Sequence, residues 1–426
     1  MPEFSEKELE RLDRAATLLF EAEDRLPVLK STNWDRSVAD AFFASDAKEL
    51  PKPQYTRIDP HPSVERIKAA RDLIKGESAV HAWLLRLCET GEQTAAMLAS
   101  IGTAGFCVFS NELYGSPQQP IADGNVTTLD LALRLDGLLS EFDEGTLKLE
   151  KPVVLTAQQL KAQLDAELPE HFGSDTPEVI VTGDVSAKAA AGRDYVKLRE
   201  DASFSDLDCA QLLQHEALIH IATGFNGSRH GRFQILGESH PGNARTQEGL
   251  AVFAEFITGS IDPRRFRRLA DRVIAIDMSA NGADFLELYN FFREKATRDA
   301  PFEAFESARR IVRGGLVDGG APFTKDGVYL SGLVEVHSYL RAAIRAGDTR
   351  LIELLFVGKI DLEDLDAMDV LAHEELISRP EFMPPWARDA RYLLAYLSYS
   401  TFLNQIDLGQ VAARYTDLIN RQNTHT

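Results

Sequence analysis

Cysteine is scarce in this chain of 426 residues: Cys88, Cys107 and Cys209 lie far apart, with no Cys-x-x-Cys pair. That excludes a disulfide framework and fits a reducing interior. Long apolar runs are missing too, so no segment is expected to span a bilayer. Positive charge is in deficit, with Lys+Arg at 46 against Asp+Glu at 66 and a net charge of −20. The deficit excludes nucleic acid or an anionic membrane as the main partner. The first residues, Met1-Pro2-Glu3-Phe4-Ser5-Glu6, are charged and lack an apolar signal core, and a cytoplasmic location is expected. Repeats and low-complexity tracts are absent. What is present is a 44% hydrophobic content, ample for a large core.

Strand signals are few, and helix signals dominate. Ser5 with Glu8 forms a capping box ahead of Leu9, Leu12, Ala16, Leu19 and Phe20, predicting a helix that ends near Leu26-Pro27. Pro51, Pro53, Pro60 and Pro62 make 49–63 an extended connection, followed by helices at 63–75 and 78–99. Thr156 with Gln159 starts another helix, running to 168. Glu178–Thr182 and Asp194–Arg199 read as strands, and Ser205 with Asp208 caps the helix after them. Beyond 245 the pattern is helical, broken at Gly314-Gly315 and Gly319-Gly320. The expected fold is α+β and mostly helical, with one small central sheet. It divides into a helical region at 1–150, a core at 151–345 and a helical region at 346–426. Nothing in the pattern fixes an oligomeric state.

The helix capped by Ser205 is apolar from Leu212 to Ala222 except for Gln214, His215, Glu216 and His220. Its segment His215-Glu216-Ala217-Leu218-Ile219-His220 resembles the zinc-peptidase signature His-Glu-x-x-His with one residue more. On an α-helix, positions i and i+4 lie about 40° apart around the axis, but i and i+5 about 140° apart. Two imidazoles so separated share a metal only if a π-type bulge absorbs the extra residue. Bound zinc would account for burying these groups; two ordinary core histidines and a paired glutamate would account for them equally. His373-Glu374-Glu375-Leu376-Ile377-Ser378 starts the same way but puts serine at the second ligand position, and reads as a solvated helical face. A catalytic zinc site needs a third protein ligand. His230, Glu238 and His240 are available in a loop-like stretch. Glu248 and Glu255 share a face of the next helix, whose core stripe is Leu250, Phe253, Ala254 and Ile257.

Thr246–Ala251 contains Gln-Glu-Gly-Leu-Ala, and here the chain resembles the flavohaemoglobin-expression-modulating QEGLA-motif proteins. Through them it is similar to the microtubule-associated tyrosine carboxypeptidases, zinc enzymes with the same His-Glu-x-x-x-His. The similarity extends to Asn226-Gly227, Glu255–Ser260, Arg313-Gly314-Gly315 and Phe323–Leu333, and covers 177–345. It implies a zincin-like core with one Zn2+ on His215, His220 and Glu248, and Glu216 as general base. The family places Gly-Thr before the second histidine, where this chain has Leu218-Ile219. Ser228-Arg229-His230-Gly231 is also unusual for it.

The implied reaction is metal-assisted hydrolysis releasing a residue from a peptide or protein C-terminus. Tyr329 is the candidate oxyanion donor. An edge strand at Tyr195–Arg199 would hold the peptide. Arg313 and Lys325 are the first candidates for the terminal carboxylate, with Arg229 and Arg245 as alternatives. A basic run of Arg264, Arg265, Arg267, Arg268 and Arg272 reads as a solvated helix face, or as a docking surface for an acidic partner. An endopeptidase, an aminopeptidase using Glu255 or Glu238 as amine anchor, and a non-catalytic regulator remain alternatives.

Overall fold

The computed structural model describes residues 3–121, 124–140, 153–185, 188–296 and 300–405, which form mainly helices with five short strands among them. The α+β, mostly helical class is what the structure has. Helices at Glu6–Glu23, His61–Leu73, Ala79–Ala99 and Ala157–Phe172 follow the expected spans closely. The capping boxes at Thr156/Gln159 and Ser205/Asp208 are reciprocated. The first helix stops before Leu26 because the N–H groups of Asp24, Arg25 and Leu26 turn back onto its last carbonyls. No helix among the described residues is long and apolar enough to cross a membrane.

The strands are β1 (Val154–Leu155), β2 (Glu178–Thr182), β3 (Ala189–Ala191), β4 (Tyr195–Arg199) and β5 (Phe204–Ser205). β2 pairs in parallel with β4, from Glu178↔Tyr195 to Thr182↔Arg199, and β3 pairs antiparallel on the other side of β4. β1 and β5 form a separate two-stranded ribbon. This corrects one expectation: Tyr195–Arg199 is the central strand, and the edges belong to β2 and β3. Three consecutive alanines carry no apolar alternation, so β3 gave no strand signal.

The helix after β5 runs without a break from Asp206 to Ser228, but its middle, Leu213–Ile221, is wound as a π-helix. There the Ala222 N–H donates to the Ala217 carbonyl five residues back. Leu218 and Ile219 are both buried, on opposite sides. Leu218 packs with Leu160, Leu164, Val196 and Leu198 beneath the sheet. Ile219 packs with Leu250, Phe253, Ala254, Phe356 and Trp386. The terminal regions are not independent of this centre: Leu12, Trp83 and Leu84 share a core with Phe233, Leu236, Leu354 and Leu371. The expected division near 150/151 and the tail at 406–426 lie outside the described residues.

The helix Ala244–Ile257, which carries Gln-Glu-Gly-Leu-Ala, lies against Val328–Ala346 at a glycine-to-glycine contact. A Cβ on Gly249 would sit 2.2 Å from the Gly332 carbonyl carbon, and one on Gly332 would sit 2.1 Å from the Arg245 carbonyl oxygen. The glycine of the signature is therefore a packing requirement, fixing the height of its neighbour Glu248. Gly249→Ala should cost about 1–3 kcal/mol through overpacking, read as a lower urea midpoint. An unchanged midpoint would mean the two backbones are not held this close.

Candidate metal centre

The π turn puts His215 and His220 on one face, with ring centroids 5.0 Å apart and planes at 79°. Glu248 rises from the neighbouring helix to meet them. Its Oε2 lies 3.5 Å from His215 Nε2 and 3.6 Å from His220 Nε2. The three ligand atoms all lie within 4.8 Å of one another. Ligands about 2.1 Å from a shared tetrahedral ion stand about 3.4 Å apart, so the donor set fits zinc closely in type and spacing.

Electrostatics supports the same fit. Burial alone would lower the His215 imidazole, but hydrogen bonds to Glu248 and Glu255 push it up to about 10. Burial would raise Glu248, yet Lys325 and the two histidines hold it well below the usual carboxylate range. Without a cation, buried Glu255 and half-buried Glu248 thus retain a proton on His215, and a divalent ion would take that proton's place. Lys325 Nζ donates to Glu248 Oε1 at 3.1 Å, leaving Oε2 for the histidines.

Behind His215 stands a carboxylate that the sequence reading had placed only as a possible amine anchor. The His215 Nδ1–H donates to Glu255 Oε1 at 2.6 Å. Glu255 is fully buried and accepts two bonds from Arg265, Nε to Oε2 at 3.1 Å and Nη2 to Oε1 at 2.9 Å. Burial would raise this carboxyl, but Arg265 and His215 bring it down to about 2. With Nδ1 so occupied, Nε2 is the nitrogen that faces Glu248, and it would offer its lone pair to a metal once its proton is displaced. Glu255 is therefore tied to the histidine and is not offered to a substrate amine.

Glu216 leaves the same turn toward the sheet, where its Oε2 accepts the Ala191 N–H of β3 at 3.1 Å. Tyr329 is buried in the first turn of its helix, its ring centroid 5.5 Å from Lys325 Nζ, 5.6 Å from Arg272 Cζ and 6.0 Å from Arg265 Cζ. Burial and the nearby Glu248 raise its phenol above the ordinary value. Asp326 is gripped by Arg310 through two 2.7 Å bonds and by Arg272 at 3.5 Å. These arginines outweigh burial and hold its carboxyl well below the usual range. Arg313 is buried on the Phe323 ring, within electrostatic reach of Asp326 and Tyr329.

The structure thus brings together His215, His220, Glu248, Glu216, Tyr329 and Lys325, while Arg313 lies on the Phe323 ring and meets none of the metal-ligand candidates directly. It does not bring in Arg229, which pairs with Asp175 and Glu381 and stacks on Phe382, or Arg245, whose nearest acid is Glu335 at 3.6 Å. The other third-ligand candidates are engaged or remote: His230 bonds the Val357 carbonyl, Glu238 pairs with Arg193, and buried His240 lies near Arg86 and Lys359. The basic run is not one docking face. Arg265, Arg267 and Arg272 turn inward to Glu255, Asp136 and Asp326, while Arg264 and Arg268 are exposed. Sequence reasoning also missed Lys359, a buried amine lowered to about 8 by burial despite Glu238 and Glu216 nearby. Its loop carries no motif that would have singled it out.

The model of the family described as microtubule-associated tyrosine carboxypeptidase matches residues 40–405. None of the curated proteins compared with the chain matches it.

Metal-free protein should take up one equivalent of Zn2+ or Co2+ and release protons, with affinity rising as pH rises because the metal displaces the His215 proton. Isothermal titration at several pH values in buffers of different ionisation enthalpy reads both; binding without proton release would contradict the donor set. Glu255→Gln should weaken that affinity about 10- to 100-fold by loosening the imidazole. Equal affinity in this variant would reduce Glu255 to packing.

Proposed function

The chain belongs to the microtubule-associated tyrosine carboxypeptidase family, and from that premise we propose that it is a zinc carboxypeptidase, releasing the last residue of a peptide or protein. The observation that carries the zinc is the convergence of His215, His220 and Glu248 across a π turn, with Glu216 beside them. Zn2+ on those three residues would polarise the scissile carbonyl and acidify the attacking water. Glu216 takes the proton from that water onto its carboxylate and hands it to the leaving amine. The Tyr329 hydroxyl donates to the carbonyl oxygen as negative charge develops there. The outer edge of β3, where the Ala191 N–H already bonds Glu216, would pair with the extended substrate backbone. The terminal carboxylate falls to the cations around Tyr329, where Lys325 is already engaged by Glu248 and Arg272, 3.5 Å from Asp326, is held less tightly.

A regulator that only binds would have no use for a carboxylate placed like Glu216. Tubulin is not part of the proposal. Most of the arginines that would dock an acidic tail are turned inward, and the chain carries a net charge of −20.

Glu216→Gln should retain stoichiometric zinc while losing about 10²- to 10⁴-fold in cleavage rate. Activity that survives this change, or disappears only together with the metal, counts against Glu216 as the base. Substrates with a free C-terminus should be cut and their C-terminal amides spared, as followed by mass spectrometry. Equal cleavage of the two would make the enzyme an endopeptidase.

A further inference from the structure

One buried cation takes no part in the chemistry above. Lys359 is held at both ends of its backbone, its N–H donating to the Leu236 carbonyl at 2.7 Å and its carbonyl accepting from Asn243 Nδ2 at 2.9 Å. Its side chain runs across the active-site helix at Gly224, where an added Cβ would stand 3.1 Å from Cε and 3.6 Å from Nζ. Gly224 follows His220 by one helical turn, so the ammonium comes up at the His220 end of the candidate metal centre. Tyr329 stands toward the His215 end: Arg265, which binds Glu255 behind His215, is 6.0 Å from its ring. Among the described residues the Lys359 ammonium donates once, to Ser239 Oγ at 2.8 Å, and no carboxylate is within ion-pair distance. Two of its three N–H groups are left over, on a residue only 8% exposed. Glu238, Glu216 and Glu248 act on it from further off, and burial still pushes the amine down to about 8. A buried ammonium so short of partners costs stability, and it is worth keeping where an acceptor arrives from outside.

A substrate whose last residue lies at Tyr329 passes His215 and His220 and continues toward Lys359. One turn of helix is about 5.4 Å, which extended chain covers in one to two residues at about 3.3 Å each. The group that falls there is the first backbone carbonyl upstream of the scissile one. We propose that Lys359 is a substrate-positioning residue that donates to this carbonyl and holds the chain on the amino-terminal side of the cut. The surroundings select a neutral acceptor, because Glu238, Glu216 and Glu248 would repel a further carboxylate. Gly224 keeps the path of the lysine open, since a side chain there would crowd it. The inference rests on the carboxypeptidase reading and adds a second hold on the substrate, across the candidate metal centre from the terminal carboxylate.

The test compares N-acetyl-alanyl-tyrosine, whose acetyl group supplies that carbonyl, with propanoyl-tyrosine, which has the same scissile bond and no carbonyl upstream. With zinc-loaded full-length protein the acetylated substrate should lead by about 10- to 100-fold in kcat/KM, the worth of a hydrogen bond from a charged donor. Lys359→Met should lower that ratio about 10-fold, the loss falling on the acetylated substrate. Lys359→Gln, which keeps an N–H, should recover part of it. An unchanged ratio in Lys359→Met, or an equal fall on both substrates, overturns the proposal and leaves the carboxypeptidase standing. A second readout needs no turnover. Without substrate, Lys359→Met should melt at the same Tm or a few degrees higher, as follows from removing a buried charge that has no ion pair. A Tm several degrees lower would make the Ser239 bond the reason for the residue, and overturns the proposal as well. If the unmodified protein cuts neither substrate, the carboxypeptidase reading falls and this inference with it.

Discussion

The backbone has to absorb the fifth residue between His215 and His220, and the rest of the site depends on how it does so. A regular α-helix would point the two rings about 140° apart. The π turn over Leu213–Ile221 returns them to one face, 5.0 Å apart. Such turns give up regular hydrogen-bond geometry and persist where packing holds them. Here the packing comes from both sides, since Leu218 is locked under the sheet and Ile219 against the neighbouring helix. Two large side chains thus hold the turn. Glu248 then has to arrive at the right height, and the Gly249–Gly332 contact sets it.

Charge imposes the second constraint. His215 lies between two carboxylates, and each carboxylate is tied to a cation of its own: Glu248 to Lys325 and Glu255 to Arg265. Removing either cation would leave a buried carboxylate uncompensated, a change that costs about 3–5 kcal/mol in comparable pairs. The network therefore fixes ring orientation and carboxylate ionisation together. It also brings arginines deep into the protein, where their hydrogen bonds are unscreened and strong.

How far this could be read from the residues differed from element to element. Capping boxes at Thr156 and Ser205 and the apolar period of the long helices are local signals, and those elements appeared where expected. The π turn was also readable, because the five-residue spacing of two histidines in an apolar helix demands it for a shared ligand. β3 was not, since Ala189–Ala191 looks like any small-residue loop until β4 pairs with it. Arg265 looked like one member of a solvated basic run. Its role depends on Glu255 facing it from another helix, and no spacing rule within one helix encodes that. Arg229, by contrast, stood near the motif in sequence but found Asp175 and Glu381 first.

If the proposed function holds, inward arginines are what would let a chain with net charge −20 hold a carboxylate. An exposed basic face would be screened beyond about 8 Å at physiological ionic strength and opposed by the acidic remainder of the surface. Guanidinium groups set in low-dielectric walls keep their field, and focus it along the opening that leads to them. Acidic surroundings would then discourage the body of an acidic partner without cancelling the field beside Tyr329. For the proposed carboxypeptidase, holding the end of the chain beside Tyr329 and Glu248 and choosing which bond is cut would be one event.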